Sequence, residues 1–130
     1  MRRVLIDTSV LIGVEDVGTL EGAISVASIA ELHFGVLVPA PEEERSRRTR
    51  RLGVIEATFD PLPVTAAVGR EWGQLAAAVV NRKGKPRRRA MDLLIAATAN
   101  VHGVPLLTAN HADLEIIDDL VEVETLRPGG

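Results

Sequence analysis

Short apolar runs alternate with longer segments of helical periodicity along this chain, and this alternation constrains its fold more than any other feature. The apolar runs have the length and composition of buried strands and cover residues 4–6, 23–27, 104–107 and 120–123. The segments between them predict helices at residues 28–38, 42–59, 65–80 and 90–101. Strands that alternate with helices form βαβ units, so we expect an α/β fold whose mostly parallel central sheet carries helices on both faces.

Local signals mark several boundaries of these elements. Thr8 or Ser9 is expected to cap a short helix after the first strand, and Ser28 and Thr65 are expected to cap two of the long helices. Residues 60–64 contain two prolines and suit a short edge strand. We expect the tail from Arg127 to be loosely held.

Length and composition limit the classes of protein to which the chain can belong. With 130 residues it has the size of one domain, so we expect residues 1–130 to form a single domain. It contains no cysteine, which excludes disulfides, thiolate metal sites and a cysteine nucleophile and fits a reducing, cytoplasmic environment. No apolar run reaches the roughly 18 to 20 residues of a membrane span. Asp7 interrupts the first apolar run where a targeting segment would be apolar.

Four acidic residues stand where predicted strands end or predicted helices begin. Asp7 ends the first strand within the otherwise apolar sequence VLIDTSVLIG, and Glu31 lies one turn into the helix after the second strand. Asp92 lies near the start of a helix that is apolar almost all round, and Asp113 follows the strand at 104–107. Because ligands of open α/β sheets bind at the carboxyl ends of the strands, we expect these carboxylates to face one edge of the sheet.

Each of these carboxylates also has an ordinary structural explanation. Asp7 and Asp113 could cap helices, Glu31 could form an ion pair, and the dipole of its helix could stabilise Asp92. Several carboxylates at one edge, however, repel each other unless a cation neutralises them. Oxygen ligands in a chain without cysteine suit Mg²⁺ or Mn²⁺, and such ions activate water for attack on a phosphodiester.

Positive charge is concentrated in two short segments, although the formal net charge of the chain is −3. Eleven of the 15 basic residues belong to these segments, the first with Arg45, Arg47, Arg48, Arg50 and Arg51 and the second with Arg82, Lys83, Lys85, Arg87, Arg88 and Arg89. Both segments are candidate phosphate contacts. The first could instead pair with the neighbouring Glu42, Glu43 and Glu44.

Four motifs, in their order and spacing, resemble those of PIN-domain ribonucleases, and the closest resemblance is to the VapC toxins of bacterial toxin–antitoxin pairs. The motifs read VLIDTSVLI, SIAELHFG, AMDLLIAATA and LLTANHADL, and the resemblance covers roughly residues 4–123. One acidic residue in an apolar run is a weak signal, whereas four in this order are specific. The resemblance implies a three-layer α/β/α sandwich, endoribonuclease activity that depends on Mg²⁺ or Mn²⁺, a cognate VapB antitoxin and a homodimer.

The same resemblance implies roles for individual residues of this chain. The catalytic metal site would consist of Asp7, Glu31, Asp92 and Asp113. Polar residues that support this site or position water would be Thr8, Ser9, Thr108 and Asn110. Hydrolysis would leave 5′-phosphate and 3′-hydroxyl ends on the RNA.

The basic segment before Asp92 is the expected RNA contact. The chain has too few aromatic residues, one Trp and two Phe, for a stacking platform. We therefore expect charge to hold the RNA phosphates, with Arg87, Arg88 and Arg89 as the candidate contacts.

Other functions remain open on sequence grounds. A haloacid dehalogenase-type phosphatase also starts from an Asp after the first strand, but it needs a second Asp where this chain has Ser9. A receiver domain needs a lysine late in the fold, and the only lysines here are Lys83 and Lys85. An RNA-processing nuclease without a toxin role and a catalytically silent module that binds metal or a partner are the remaining alternatives.

Overall fold

The fold is that of a computed structural model, which describes residues 3–126. Its α-helices are α1 Thr8–Gly13, α2 Val26–Leu37, α3 Glu42–Thr58, α4 Ala66–Asn81 and α5 Ala90–His102. Its strands are β1 Leu5–Ile6, β2 Leu106–Thr108 and β3 Val123–Thr125. Three 3₁₀ helices occur at Val17–Thr19, Pro86–Arg89 and His111–Ile117. The predicted tail from Arg127 lies outside the described residues.

The strands form a parallel sheet in the order β1-β2-β3. Leu5 pairs with Leu106, and Leu106 pairs in turn with Val123. Isolated parallel bridges extend the sheet beyond β1, from Leu5 to Ala23 and from Ser25 to Leu62. The predicted parallel architecture is therefore confirmed, although β1 and β2 are each one residue shorter than the apolar runs at 4–6 and 104–107. The predicted strand at 120–123 is wrong in its position, because pairing with β2 begins only at Val123 and continues to Thr125.

The predicted strand at 23–27 is wrong, because the chain turns into a helix earlier than expected. Ala23 and Ser25 make only isolated bridges, and α2 already begins at Val26. The Ser25 side chain caps this helix by accepting a hydrogen bond from the Ala27 N–H at 3.0 Å. Ser28, the predicted cap, therefore lies inside α2, where its hydroxyl is available for another contact.

The later boundaries differ from the predictions for local reasons. Thr65 caps α4 as predicted, but residues 60–64 contribute a bridge at Leu62 rather than a strand. Helix α5 ends in a left-handed Gly103 with φ 65°, and the Val104 N–H still returns to the Ala99 carbonyl at 3.1 Å. Strand pairing consequently starts two residues later than the apolar run.

Two clusters of buried side chains cover the two faces of the sheet. Leu5 and Leu106 belong to the cluster that packs against α4 and α5, with buried members such as Val68 and Ile95. Ile6 and Leu107, one residue further along each strand, belong to the other cluster, which includes residues of α1, α2 and α3. This burial on both faces confirms the three-layer α/β/α arrangement. No helix among residues 3–126 is long and apolar enough to cross a membrane.

The close packing of Gly22 against Val4, next to β1, predicts that a larger residue at position 22 destabilises the fold. Gly22 has a φ of 144°, and an added Cβ would lie 2.9 Å from Val4 Cγ2 and 3.0 Å from the Val4 carbonyl oxygen. We expect Gly22→Ala to lower the free energy of unfolding by roughly 2 kcal/mol, because the substitution adds backbone strain and a clash. Urea unfolding followed by circular dichroism measures this loss.

Gly53→Ala is the matched control, since a Cβ at Gly53 in α3 meets nothing within 4 Å. Alanine is the better helix former, so this control should gain roughly 0.5–1 kcal/mol. Equal stabilities of the two variants would contradict the strained packing of Gly22.

Candidate active site

Asp7 is buried directly after β1, and hydroxyl groups compensate its charge. It is the N-cap of α1, in place of the predicted Thr8 or Ser9, and its Oδ2 accepts the Ser9 N–H at 3.3 Å. The same oxygen accepts hydrogen bonds from Ser9 Oγ at 2.5 Å and from Thr108 Oγ1 at 3.1 Å. Since Thr108 ends β2, these bonds join the carboxyl ends of two neighbouring strands.

Glu31 is held beside Asp7 by the residue that follows Asp7 in the chain. Thr8 Oγ1 donates to Glu31 Oε1 at 2.7 Å and lies 2.8 Å from the hydroxyl of Ser28. Burial raises the pKa of Glu31, the bond from Thr8 lowers it, and the negative charge of Asp7 raises it again. Consecutive residues, Thr8 and Ser9, thus fix two acidic side chains.

Asp92 lies close enough to the other three predicted carboxylates for their charges to affect its pKa. Burial raises the pKa of Asp92 to about 6, and the negative charges of Asp7, Glu31 and Asp113 add to this rise. The positive charge of Arg89 opposes it. No residue in the described range 3–126 donates a hydrogen bond to the Asp92 carboxylate, so its repulsion from the other acids is not offset by such a bond.

Asp113 lies at the exposed side of this group, in the 3₁₀ helix His111–Ile117. Asn110 Nδ2 donates to Asp113 Oδ2 at 2.7 Å, while the Asn110 N–H donates to Thr108 Oγ1 at 3.1 Å. Arg89 Nη1 donates to the Asp113 carbonyl oxygen at 2.8 Å. Through Asn110 and Thr108, Asp113 is connected to the hydroxyl groups that hold Asp7.

Basic side chains border the acidic residues on one side. A surface cavity of about 440 Å³ is lined by Gly84, Lys85, Arg88, Arg89, Asp92 and Asp113. Of the three arginines predicted to contact RNA, Arg88 and Arg89 line this cavity and Arg87 does not.

Two features of the site were missed by the sequence reasoning. Ser28 supports Thr8, and its position three residues before Glu31 places both on one side of α2, a spacing that could have indicated it. Arg48 and Arg51 line a second groove, of about 460 Å³, together with Thr8 and Glu31. No local signal in the sequence connects α3 with these residues, because the contact depends on tertiary packing.

The donor atoms of the site fit a hard divalent cation. Among the described residues, Asp7 Oδ1 and Glu31 Oε2 accept no hydrogen bond, and neither does either oxygen of Asp92. No group of three or more acidic or histidine side chains within residues 3–126 is arranged to hold an ion by itself. Mg²⁺ is usually bound by one or two carboxylates with waters and substrate phosphates. The arrangement therefore fits this mode of binding rather than an all-protein cage.

Comparison with known proteins identifies the class to which this fold and site belong. The PIN domain family matches residues 4–120, so the chain belongs to the PIN-domain family. It is 34% identical to ribonuclease VapC4 of Mycobacterium tuberculosis over 90% of this chain and 97% of that relative. It is also 32% identical to ribonuclease VapC5 of the same organism, over 95% of this chain and 93% of the relative. Within the family, it is thus a relative of the VapC ribonucleases.

Solved structures support the same classification. The crystal structure of VapBC-5 from Mycobacterium tuberculosis, a member of the VapBC family of toxin–antitoxin systems, matches with a TM-score of 0.79 and 29% identity. The match covers 98% of this chain and 99% of that chain. A DNA-bound VapBC from Salmonella typhimurium shares the fold at a TM-score of 0.74 and 19% identity, over 96% of this chain and 98% of that chain.

The repulsion at Asp92 predicts that a substitution in the site stabilises the metal-free protein. In the presence of EDTA we expect Asp92→Asn to raise the free energy of unfolding by roughly 1 kcal/mol, a figure reduced for the solvent that screens this half-buried group. Because its pKa is higher in the folded chain, wild-type Asp92 lowers stability as pH rises through about 6. The gain in the free energy of unfolding from Asp92→Asn should therefore be present above about pH 6 and vanish below pH 3.8, the ordinary pKa of an aspartate.

Glu115→Gln is the control for this measurement, since it removes the same charge at an exposed position of the 3₁₀ helix. Urea unfolding at several pH values gives both stabilities. Equal effects of the two substitutions at every pH would contradict the electrostatic account of Asp92.

Proposed function

We propose that this chain is an endoribonuclease that depends on Mg²⁺ or Mn²⁺ and acts as the toxin of a toxin–antitoxin pair. The observation that carries the proposal is the pair of hydrogen-bond networks that start at Thr8 and Ser9 and hold acidic side chains beside Asp92. The relatives described above bear the name ribonuclease, and the related structures are toxin–antitoxin complexes. These names support the class of substrate and the kind of partner.

The proposed catalytic residues are the four carboxylates, three of which accept hydrogen bonds from hydroxyl or amide groups. Asp7, Glu31, Asp92 and Asp113 would hold the cation through oxygens that the hydroxyl and amide donors leave available. When bound, such a cation supplies positive charge that activates water and stabilises the charge developing on a phosphodiester. Ser9, Thr8 and Asn110 restrict the rotation of the carboxylates, which reduces the entropy lost when ligands bind.

The cavity beside Asp92 is the proposed place of the RNA phosphate. Lys85, Arg88 and Arg89 line it together with Asp92 and Asp113. Basic side chains there offset the repulsion between phosphate and carboxylates and would contribute affinity that decreases with salt. Arg87, which does not line the cavity, could contact RNA only outside it.

A toxin must also present a surface to its antitoxin, and exposed apolar side chains support such a contact. Ile12 is 51% exposed and lines the groove that also contains Glu31. Phe34 and Leu37, on α2, are 69% and 79% exposed. Large apolar side chains grouped at the surface are typical of protein interfaces. A VapB-type antitoxin and a second copy of this chain are the proposed partners.

Cleavage of RNA with and without metal tests the proposed activity. We expect the purified chain to cut a mixed RNA pool into discrete fragments with Mg²⁺ or Mn²⁺ and to be inactive in EDTA. Asp92→Asn should abolish cleavage because it removes a proposed cation ligand, while Glu115→Gln should cleave like the wild type. Sequencing of the fragment ends should find 5′-phosphates.

Cleavage that persists in EDTA or in Asp92→Asn would exclude the proposed mechanism. If the wild type cuts no RNA under any metal while circular dichroism shows an intact fold, the chain is a catalytically silent binding module.

Ser9→Ala tests whether the hydroxyl network supports catalysis. The substitution removes one of the three hydrogen bonds to Asp7 Oδ2, the one from Ser9 Oγ. The bonds from the Ser9 N–H and from Thr108 Oγ1 remain. We expect cleavage to fall roughly 10- to 100-fold and the metal concentration for half-maximal activity to rise. RNA affinity in EDTA should not change.

Ser46→Ala, at an exposed position of α3, is the control. A uniform loss of RNA affinity, without any change in metal requirement, would contradict a supporting role of Ser9 at Asp7.

A further inference from the structure

One side of α3 carries arginines that the fold itself does not use. Arg48 is engaged, since it donates to the Gly35 carbonyl at 2.8 Å and pairs with Glu44 at 2.8 Å. Arg47, Arg50 and Arg51 form neither an ion pair nor a side-chain hydrogen bond with any described residue of the range 3–126. Their spacing of three and four residues puts these three guanidinium groups on one side of the helix, which we name the α3 arginine face.

The α3 arginine face is continuous with the acidic site. Arg47, Arg50 and Arg51 line a cavity of about 290 Å³ with Glu15, Asp16 and Val54. Arg51 also lines the groove of about 460 Å³ that contains Thr8 and Glu31. A single side chain, Arg51, therefore belongs to both depressions and connects the arginines with the carboxylates.

The acidic site consequently lies between two basic surfaces. Lys85, Arg88 and Arg89 border it on the side of Asp92 and Asp113. On the side of Glu31, Arg51 of the α3 arginine face lines the groove that contains this carboxylate, and Arg47 and Arg50 line the adjoining cavity. Unpaired arginines beside a groove are suited to bind phosphates, and phosphates that flank a cleaved bond would need contacts on both sides.

We propose that a single RNA strand crosses the acidic site along both grooves, and that the α3 arginine face binds phosphates beyond the one that is cleaved. This inference rests on the proposed ribonuclease function and adds to it the path of the substrate. Contacts to phosphate contribute affinity without reading the base sequence. The face would thus set how long an RNA the protein holds, rather than where it cuts.

Binding of single-stranded RNA to the whole chain in EDTA tests the path without cleavage. The test variant is Arg47→Gln with Arg50→Gln. Its control is Arg45→Gln with Arg70→Gln, which removes the same charge from exposed positions. Arg45 lines a separate depression with Glu42, Ser46 and Thr49.

The expected result is a change in the salt dependence of binding. Loss of two phosphate contacts should reduce the slope of log affinity against log salt by about 1.4, since each contact to a single strand contributes about 0.7. The change should be seen with an RNA of about 20 nucleotides and not with one of about 4, which covers only the acidic site. The control variant should keep the wild-type slope at both lengths.

Two results would overturn the inference. The first is a slope in the test variant equal to that of the control at both lengths. The second is an unchanged slope in a test variant that, unlike the control variant, no longer binds a co-expressed antitoxin. This result would assign the α3 arginine face to a protein partner. Either result leaves metal-dependent cleavage by the wild type untouched, so failure of the inference is distinguishable from failure of the proposed function.

Discussion

The arrangement of the site depends on how the protein accommodates the buried carboxylate of Asp7. An ionised carboxylate without partners in the interior costs several kcal/mol, and no basic side chain within residues 3–126 forms an ion pair with Asp7. Ser9 and Thr108 donate to Asp7 Oδ2 instead. These hydroxyls give one carboxylate oxygen its hydrogen-bond partners without adding a positive charge, and they connect α1 with the end of β2. The other carboxylate oxygen remains available, which is the condition under which a cation can bind.

Because hydroxyl groups and not basic side chains hold Asp7, the negative charges of the site repel one another. Glu31 and Asp92 both have raised pKa values, caused first by burial and then by neighbouring carboxylates. A core optimised only for stability would not place acidic groups in this way, and sites of this kind generally trade stability for function. Arg89 reduces the repulsion at Asp92, and its bond to the Asp113 carbonyl fixes the 3₁₀ helix beside α5.

The expectation that the four acidic residues lie near one another follows from the sequence, because strand ends and helix starts can be recognised locally, and the charges of the other three do act on Asp92. Their role as a metal site stays a prediction. Helices α3, α4 and α5 were likewise predictable from periodicity and from Thr65 as a cap. The strand at 23–27 was not, because Ser25 and Ser28 are equivalent as caps in a local pattern and only tertiary pairing with Leu62 selects Ser25. Similarly, the local pattern could not distinguish Arg48 from the unpaired arginines around it, because only tertiary packing brings Arg48 to the distant Gly35 carbonyl.

The distribution of charge links cation binding with substrate binding under the proposed function. No group of three ligating side chains in the described range is arranged to hold an ion alone, and the phosphates of RNA would be repelled by the carboxylates alone. The cation and the RNA therefore each reduce the electrostatic cost of binding the other. By linkage, binding of the cation increases the affinity for RNA by the same factor by which RNA increases the affinity for the cation. The basic surfaces on either side of the acids also favour RNA binding, because they attract RNA without pairing with the carboxylates of Asp7 or Asp92. A site with its acids already neutralised by arginines would be more stable, but it would have no remaining charge with which to bind a cation.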